Sequence, residues 1–139
     1  MMTDTLTLDS AQKIVARAIE KALSDYKRPI CVSVCDEYGF LLAFGRMNGA
    51  PVRSIQIAQR KACTAARMGV STDTFLARLQ KENLQASYFG EDMVPLPGGN
   101  VLKDVSGKPM GAVGISGLAL PEDQAIAEAM AAFVSSAKQ

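Results

Sequence analysis

Two strand-forming runs in this chain are each followed, across a turn of a few residues, by a second run of the same kind, and that pairing constrains the fold most. Ile30-Cys31-Val32-Ser33-Val34-Cys35 is β-branched and alternating, Asp36-Glu37-Tyr38-Gly39 supplies turn residues, and Phe40-Leu41-Leu42-Ala43-Phe44 is a second apolar run. This pattern predicts a β-hairpin. Val101-Leu102-Lys103-Asp104-Val105, the Ser106-Gly107 turn and residues 109–115 predict another. Strands that return at once lie antiparallel, because a parallel crossover needs a dozen or more intervening residues.

Helical patterns surround the hairpins. Leu8, Ala11, Ile14, Val15, Ala18, Ile19, Ala22 and Leu23 recur at three- and four-residue spacing opposite Gln12, Lys13, Arg17, Glu20 and Lys21, which predicts an amphipathic helix. Thr7 is its N-cap, and Pro29 ends it near Tyr26. Met47-Asn48-Gly49-Ala50-Pro51 reads as a loop, with Pro51 in the first turn of a helix that runs to about Met68 and stops at Gly69. Ser71-Thr72-Asp73 caps a third helix through Phe75, Leu76 and Leu79. Residues 83–96 lack a period and read as a loop with a helical turn, long enough to be functional. Pro121-Glu122-Asp123 opens the last helix, with Ile126, Met130, Phe133 and Val134 on its apolar face. The order α-β-β-α-α-β-β-α predicts an α+β fold, an antiparallel β-sheet with helices packed on it. At 139 residues the chain reads as one domain spanning 1–139, able to bury roughly 70% of its unfolded surface.

The chain contains no histidine, which removes Ser-His-Asp and Cys-His catalysis and His-ligated zinc or haem. A formal net charge of +1, from 15 Lys+Arg and 14 Asp+Glu, carries no electrostatic footprint for nucleic acid or an anionic membrane. No apolar run reaches the length of a membrane span, and Met1-Met2-Thr3-Asp4-Thr5 lacks a signal-peptide pattern. Three cysteines then read as free thiols, and the expected location is cytoplasmic. Cys31 and Cys35 lie roughly 13 Å apart on an extended strand, too far for one ion. They and Cys63 read as buried apolar thiols, so no metal site is expected.

Glycines cluster at Gly98, Gly99, Gly111, Gly114 and Gly117. Such a cluster serves either tight packing of helix on sheet or close approach of a ligand. Gly111-x-x-Gly114-x-x-Gly117 is neither a dinucleotide fingerprint nor a phosphate loop, and Gly114-Ile115-Ser116-Gly117 lacks the spacing of a hydrolase elbow. Arg46, Arg53, Arg60, Lys61 and Arg67 follow the first hairpin and read mostly as a solvated face. Lys61 differs: among Ala58, Ala62, Ala65 and Ala66 it needs an anionic partner or a lowered pKa.

The chain resembles the GlcG/HbpS family, whose domain also forms the C-terminal part of PduO-type corrinoid adenosyltransferases. The resemblance runs end to end. It is carried by Leu6-Thr7-Leu8, Asp36-x-x-Gly39 with Leu42-x-x-Phe44-x-Arg46-Met47, Ile57-Ala58-x-x-Lys61-Ala62-x-Thr64-Ala65, Pro97-Gly98-Gly99, and residues 111–117 followed by Glu122-Asp123-x-x-Ile126-Ala127. It implies a small sandwich of the profilin or roadblock kind, assembly into homo-oligomers, and roles that include haem binding in some relatives and catabolic accessory functions in others. Some relatives ligate haem through a histidine that this chain lacks. It also departs from the family at Leu118-Ala119-Leu120-Pro121.

Two functional readings follow. One is a small-ligand-binding module for haem, a corrinoid or a small catabolic metabolite, with Arg46, Lys61, Tyr88, Phe89, Pro97, Gly98, Gly99, Ser116 and Gly117 as candidate ligand-binding residues. The other is a cofactor-independent tautomerase, isomerase or lyase acting on a small organic acid. There Arg46 holds the carboxylate, Lys61 or one of Glu91, Asp92 and Asp123 moves a proton, and backbone N–H groups at Gly98-Gly99 or Gly117 stabilise an enolate. A structural accessory protein that contacts a pathway enzyme is a third possibility.

Overall fold

The three- and four-residue periodicity produces helix α1, Leu8–Lys21, which buries Ala11, Ile14 and Ala18. Thr7 caps it by accepting a hydrogen bond from the Ser10 N–H at 3.1 Å. Ahead of Pro29 the helix widens into a π-turn, Ala22–Tyr26, and stops at Lys27 in the left-handed region. These elements come from a computed structural model that describes residues 6–136; the leader-pattern reading of residues 1–5 lies outside that range.

The first hairpin comprises β1, Cys31–Asp36, and β2, Leu41–Arg46. Its turn is closed by Asp36 Oδ1, which accepts from the N–H groups of Tyr38 and Phe40, both at 2.9 Å. Helix α2, Arg53–Met68, ends at Gly69 with φ 73°, a left-handed stop that glycine adopts without strain. Helix α3, Thr72–Glu82, follows, and the 83–96 loop contains one 3₁₀ turn, Ala86–Phe89. The second hairpin is β3, Gly99–Lys103, and β4, Pro109–Ser116, and the described chain closes with α4, Leu120–Ser136. Strand β3 starts two residues before the apolar run at Val101, because Gly99 pairs with Gly114.

The four strands form one antiparallel sheet in the order β2-β1-β4-β3. The two hairpins meet along the central β1–β4 pair, where Cys31 lies opposite Ser116 and Asp36 opposite Gly111. Helices cover both faces. On one, α1 and α4 pack on Val32, Val34, Val113, Ile115 and Leu102 to form the main core. On the other, α2 sets Ala58, Ala62 and Ala65 against Cys31, Cys35, Ala112 and Val101. The alternation in 30–35 therefore does not give a wet face: all of Cys31 to Cys35 are buried, because the small Cys and Ser side chains meet a helix instead of water.

The α2 face is built from small residues, and the helix lies correspondingly close. A Cβ placed on Gly114 would come within 2.0 Å of the Ala58 carbonyl oxygen and 2.6 Å of the Ala62 nitrogen, so glycine is required there for the helix to dock. The glycine cluster is thus explained by the chain's own packing. At Gly99 and Gly117, too, a Cβ would strike backbone, the carbonyls of Lys61 and Pro29. Gly114→Ala is expected to push α2 off the sheet and lower the unfolding free energy in urea by about 1–3 kcal/mol or more. An unchanged denaturation midpoint would show that the helix has slack.

Candidate functional site

Two flanks of α2 carry the chemistry. On the flank facing β3 and β4, Lys61 lies in the interior; its side chain and that of Asp123 are each 1% exposed. Lys61 Nζ donates to the Ile115 carbonyl at 2.8 Å and to Asp123 Oδ2 at 3.2 Å. The other Asp123 oxygen accepts from the Leu118 N–H at 3.1 Å. Asp123 occupies the first turn of α4, where the helix dipole favours a carboxylate. In the same turn Glu122 accepts from the Ala119 N–H and pairs with Arg28, the reciprocal half of a capping box. The anionic partner that Lys61 needs is therefore Asp123, a residue the sequence singled out separately.

Gly98 roofs this pair: with φ 130°, a Cβ there would lie 2.7 Å from Lys61 Nζ and 2.5 Å from the Ile115 carbonyl oxygen. The Gly98 N–H donates to Gln124 Oε1 at 2.6 Å and the Gly99 N–H to Thr72 Oγ1 at 2.9 Å. Of the donors expected at an enolate, those of Gly98 and Gly99 are thus engaged by buried side chains, because the loop that carries them is folded into the core. Gln124 was not singled out from sequence, and Thr72 only as part of a helix cap. Their only signal there is a polar residue on an otherwise buried helix face.

Burial pulls both members of the pair toward neutrality. It lowers the Lys61 pKa and raises that of Asp123 to about 6, with the mutual attraction opposing it in each case.

The other candidates are dispersed. Arg46 is exposed at the end of edge strand β2, opposite Cys31, while Ser116 lies one strand further on and donates to the buried Ser54 hydroxyl at 3.0 Å. Strand β1 separates Arg46 from Ser116, and among the described residues no hydrogen bond or ion pair joins Arg46 to Lys61. Phe89 packs edge-on against Phe75 with centroids 5.4 Å apart, beneath the Arg78 guanidinium. Tyr88 is exposed and Pro97 half-buried. Of the acidic candidates, Glu91 and Asp92 are exposed on the loop. The arrangement with Lys61 and Arg46 facing each other across a pocket is not formed, since Lys61 points into the β4–α4 junction.

The flank of α2 facing the first hairpin is open. Between them lies a groove of about 350 Å³. Ser33 and Cys35 form its floor, Phe40 and Leu41 one wall, Arg60, Cys63 and Arg67 the other, and Asp92 sits at the rim. Arg67 Nε donates to the Tyr38 carbonyl at 3.1 Å, and its guanidinium lies 5.8 Å from the Phe40 ring centroid. Burial pushes the Cys35 thiol up to about 12 and raises that of Cys63 as well, so both stay protonated at neutral pH. Sequence reading took Arg60 and Arg67 as solvated charge. The signal that marks them is their spacing with Gln56 and Cys63, which places all four on one side of the helix.

Among the described residues no group of three or more His, Cys, Asp or Glu side chains is arranged to hold a metal ion, and no helix is long and apolar enough to cross a membrane.

A four-stranded antiparallel sheet between two helical layers, closed on one flank of α2 and grooved on the other, defines a small α+β sandwich. The chain belongs to the HbpS-like family: the family model described as "Haem degrading protein HbpS-like" matches residues 6–132. It is 33% identical over 129 residues to an uncharacterized 15.0 kDa protein from the dhaT-dhaS intergenic region of Citrobacter freundii, covering 89% of this chain and 88% of that one. In three dimensions it is similar to a double mutant of Streptomyces reticuli HbpS, with TM-score 0.84, 30% identity, and 96% and 90% of the two chains covered. It is also similar to PduOC, solved as a haem complex, with TM-score 0.79, 26% identity, and 92% and 94% covered.

Removing one member of the buried pair leaves the other uncompensated. Lys61→Met is expected to cost about 3–5 kcal/mol in urea unfolding, and Lys61→Met with Asp123→Leu to recover most of that loss; equal losses in the two variants would show that the pair is not coupled. Because Asp123 holds its proton to about 6 when folded against 3.8 for the free side chain, its contribution to stability is complete below 3.8 and fades as pH rises through 6. The stability of the wild type relative to Asp123→Asn should therefore increase between pH 7 and pH 4, as read by thermal melts at each pH.

Proposed function

We propose that this protein is a small-ligand-binding module whose ligand sits in the groove between the first hairpin and α2. One observation carries the reading: this concavity of about 350 Å³ combines an exposed aromatic wall at Phe40 with polar and charged groups from α2, the mixed lining that small-molecule sites use. Membership of the HbpS-like family and similarity to a protein solved with haem support a ligand-binding role. Homo-oligomeric assembly, implied by the family resemblance, is part of the proposal.

Iron-ligated haem does not fit the groove. Proteins hold haem iron through histidine, cysteine thiolate, methionine or tyrosine. The groove lining includes none of these except Cys35 and Cys63, and burial keeps both thiols protonated. The organic-acid enzyme draws no support from the Lys61–Asp123 flank either, because both side chains are sealed from solvent.

The reading is tested by titrating a library of neutral and charged organic fragments into ¹⁵N-labelled protein. Expected are amide shift changes centred on Ser33, Phe40, Leu41 and Arg60, and a haemin titration without a shifted Soret band. Changes centred instead on the α1–α4 groove at Arg17 and Phe133, or none at all, would overturn it.

A further inference from the structure

Within the hairpin–α2 groove, Arg60 stands apart. It is half-buried on the groove wall, and among the described residues it makes no hydrogen bond or ion pair. Its neighbour Arg67 is already committed to the Tyr38 carbonyl and the Phe40 ring. Asp92, across the rim, forms no ion pair with either arginine among the described residues. A guanidinium that has lost part of its hydration and gained no partner retains five donors in a planar fork. The group matching that fork is a carboxylate, held by two parallel charge-assisted hydrogen bonds.

The rest of the groove sets the ligand's body. Phe40 and Leu41 are 64% and 53% exposed, so the wall opposite Arg60 offers a flat apolar surface without a covering element. The volume of about 350 Å³ lies near the lower end of ligand pockets, which run from roughly 300 to 1,000 Å³. That space suits one or two fused rings and not a tetrapyrrole. Two arginines against one aspartate give the groove a positive balance.

We infer that the groove binds a small carboxylic acid with a flat apolar body, its carboxylate on Arg60 and its ring against Phe40 and Leu41. This rests on the groove being the ligand site, and it adds the ligand class and the residue that selects it. It also places the anion at Arg60 and not at Arg46, which lies outside the groove at the far end of β2.

The test uses the full chain and two matched probe series: benzoate, phenylacetate and 2-naphthoate, and the corresponding neutral amides. Binding is followed by isothermal titration and by amide shifts. The carboxylates are expected to bind at the groove and the amides at least about tenfold more weakly, because an amide carries no charge and has one acceptor oxygen where the guanidinium fork takes two. Arg60→Met should remove that discrimination by weakening the carboxylates far more than the amides, Arg60→Lys should retain part of it, and Arg46→Met should leave both series unaffected. Because Arg60 makes no hydrogen bond or ion pair among the described residues, its variants are expected to melt with the wild type. Amides that bind the groove as well as carboxylates would overturn the ligand class and leave the groove reading standing. Failure of both series to shift groove residues would overturn the inference and the groove reading together. A concentration-dependent self-association abolished by Arg60→Met and Phe40→Ser would show the groove to be an interface between copies, and would likewise overturn the inference.

Discussion

Everything on the α2 side of the molecule depends on how near that helix lies to the sheet. Alanine on the helix and glycine on β4 remove the side chains that would hold them apart, until Gly114 touches the Ala58 carbonyl. Backbone at that distance leaves no room for water, so a long polar side chain rooted in the contact must be satisfied within the protein. Lys61 is that side chain. It reaches a buried β4 carbonyl, that of Ile115, and the carboxylate of Asp123 that α4 brings to the same place.

The same geometry explains why the opposite flank is open. Turned one residue around the helix from Lys61, Arg60 leaves the close contact and meets the first hairpin, whose turn is propped outward by Arg67 beneath Tyr38 and Phe40. A single helix thus presents a sealed ion pair on one side and, on the other, a partly desolvated cation without an ion-pair partner among the described residues. Long-range attraction toward anions belongs only to the second, because the charge of the first is internally balanced.

The order of elements was readable from the sequence because hairpins, caps and helix stops are local signals. Thr7, Pro29 and Gly69 act where the chain places them, through contacts within a few residues. The glycine cluster was not readable to the same depth. Whether Gly98 clears space for a ligand or for Lys61 depends on which segment arrives opposite it, and that segment is far away in the sequence. Lys61 and Asp123 were each recognised as unusual, yet their pairing emerges only when α2 and α4 meet at the end of β4. Arg60 is the converse case: at helical spacing among polar neighbours it reads as ordinary solvated charge, and only the hairpin folded against it makes it otherwise.

The strand order carries a consequence for how the molecule is assembled. Each hairpin is made of sequence neighbours and closes a short loop, whereas the central β1–β4 seam joins residues as distant as Cys31 and Ser116. Contacts of that separation form slowly, since the entropy of closing the intervening chain is lost before the pairing offsets it. Helices α2 and α3 lie within the chain so closed, and α4 follows it. The lysine lies within that closed stretch and the aspartate just beyond it, so their ion pair spans the same kind of separation as the seam and fastens α2 and α4 together beside it.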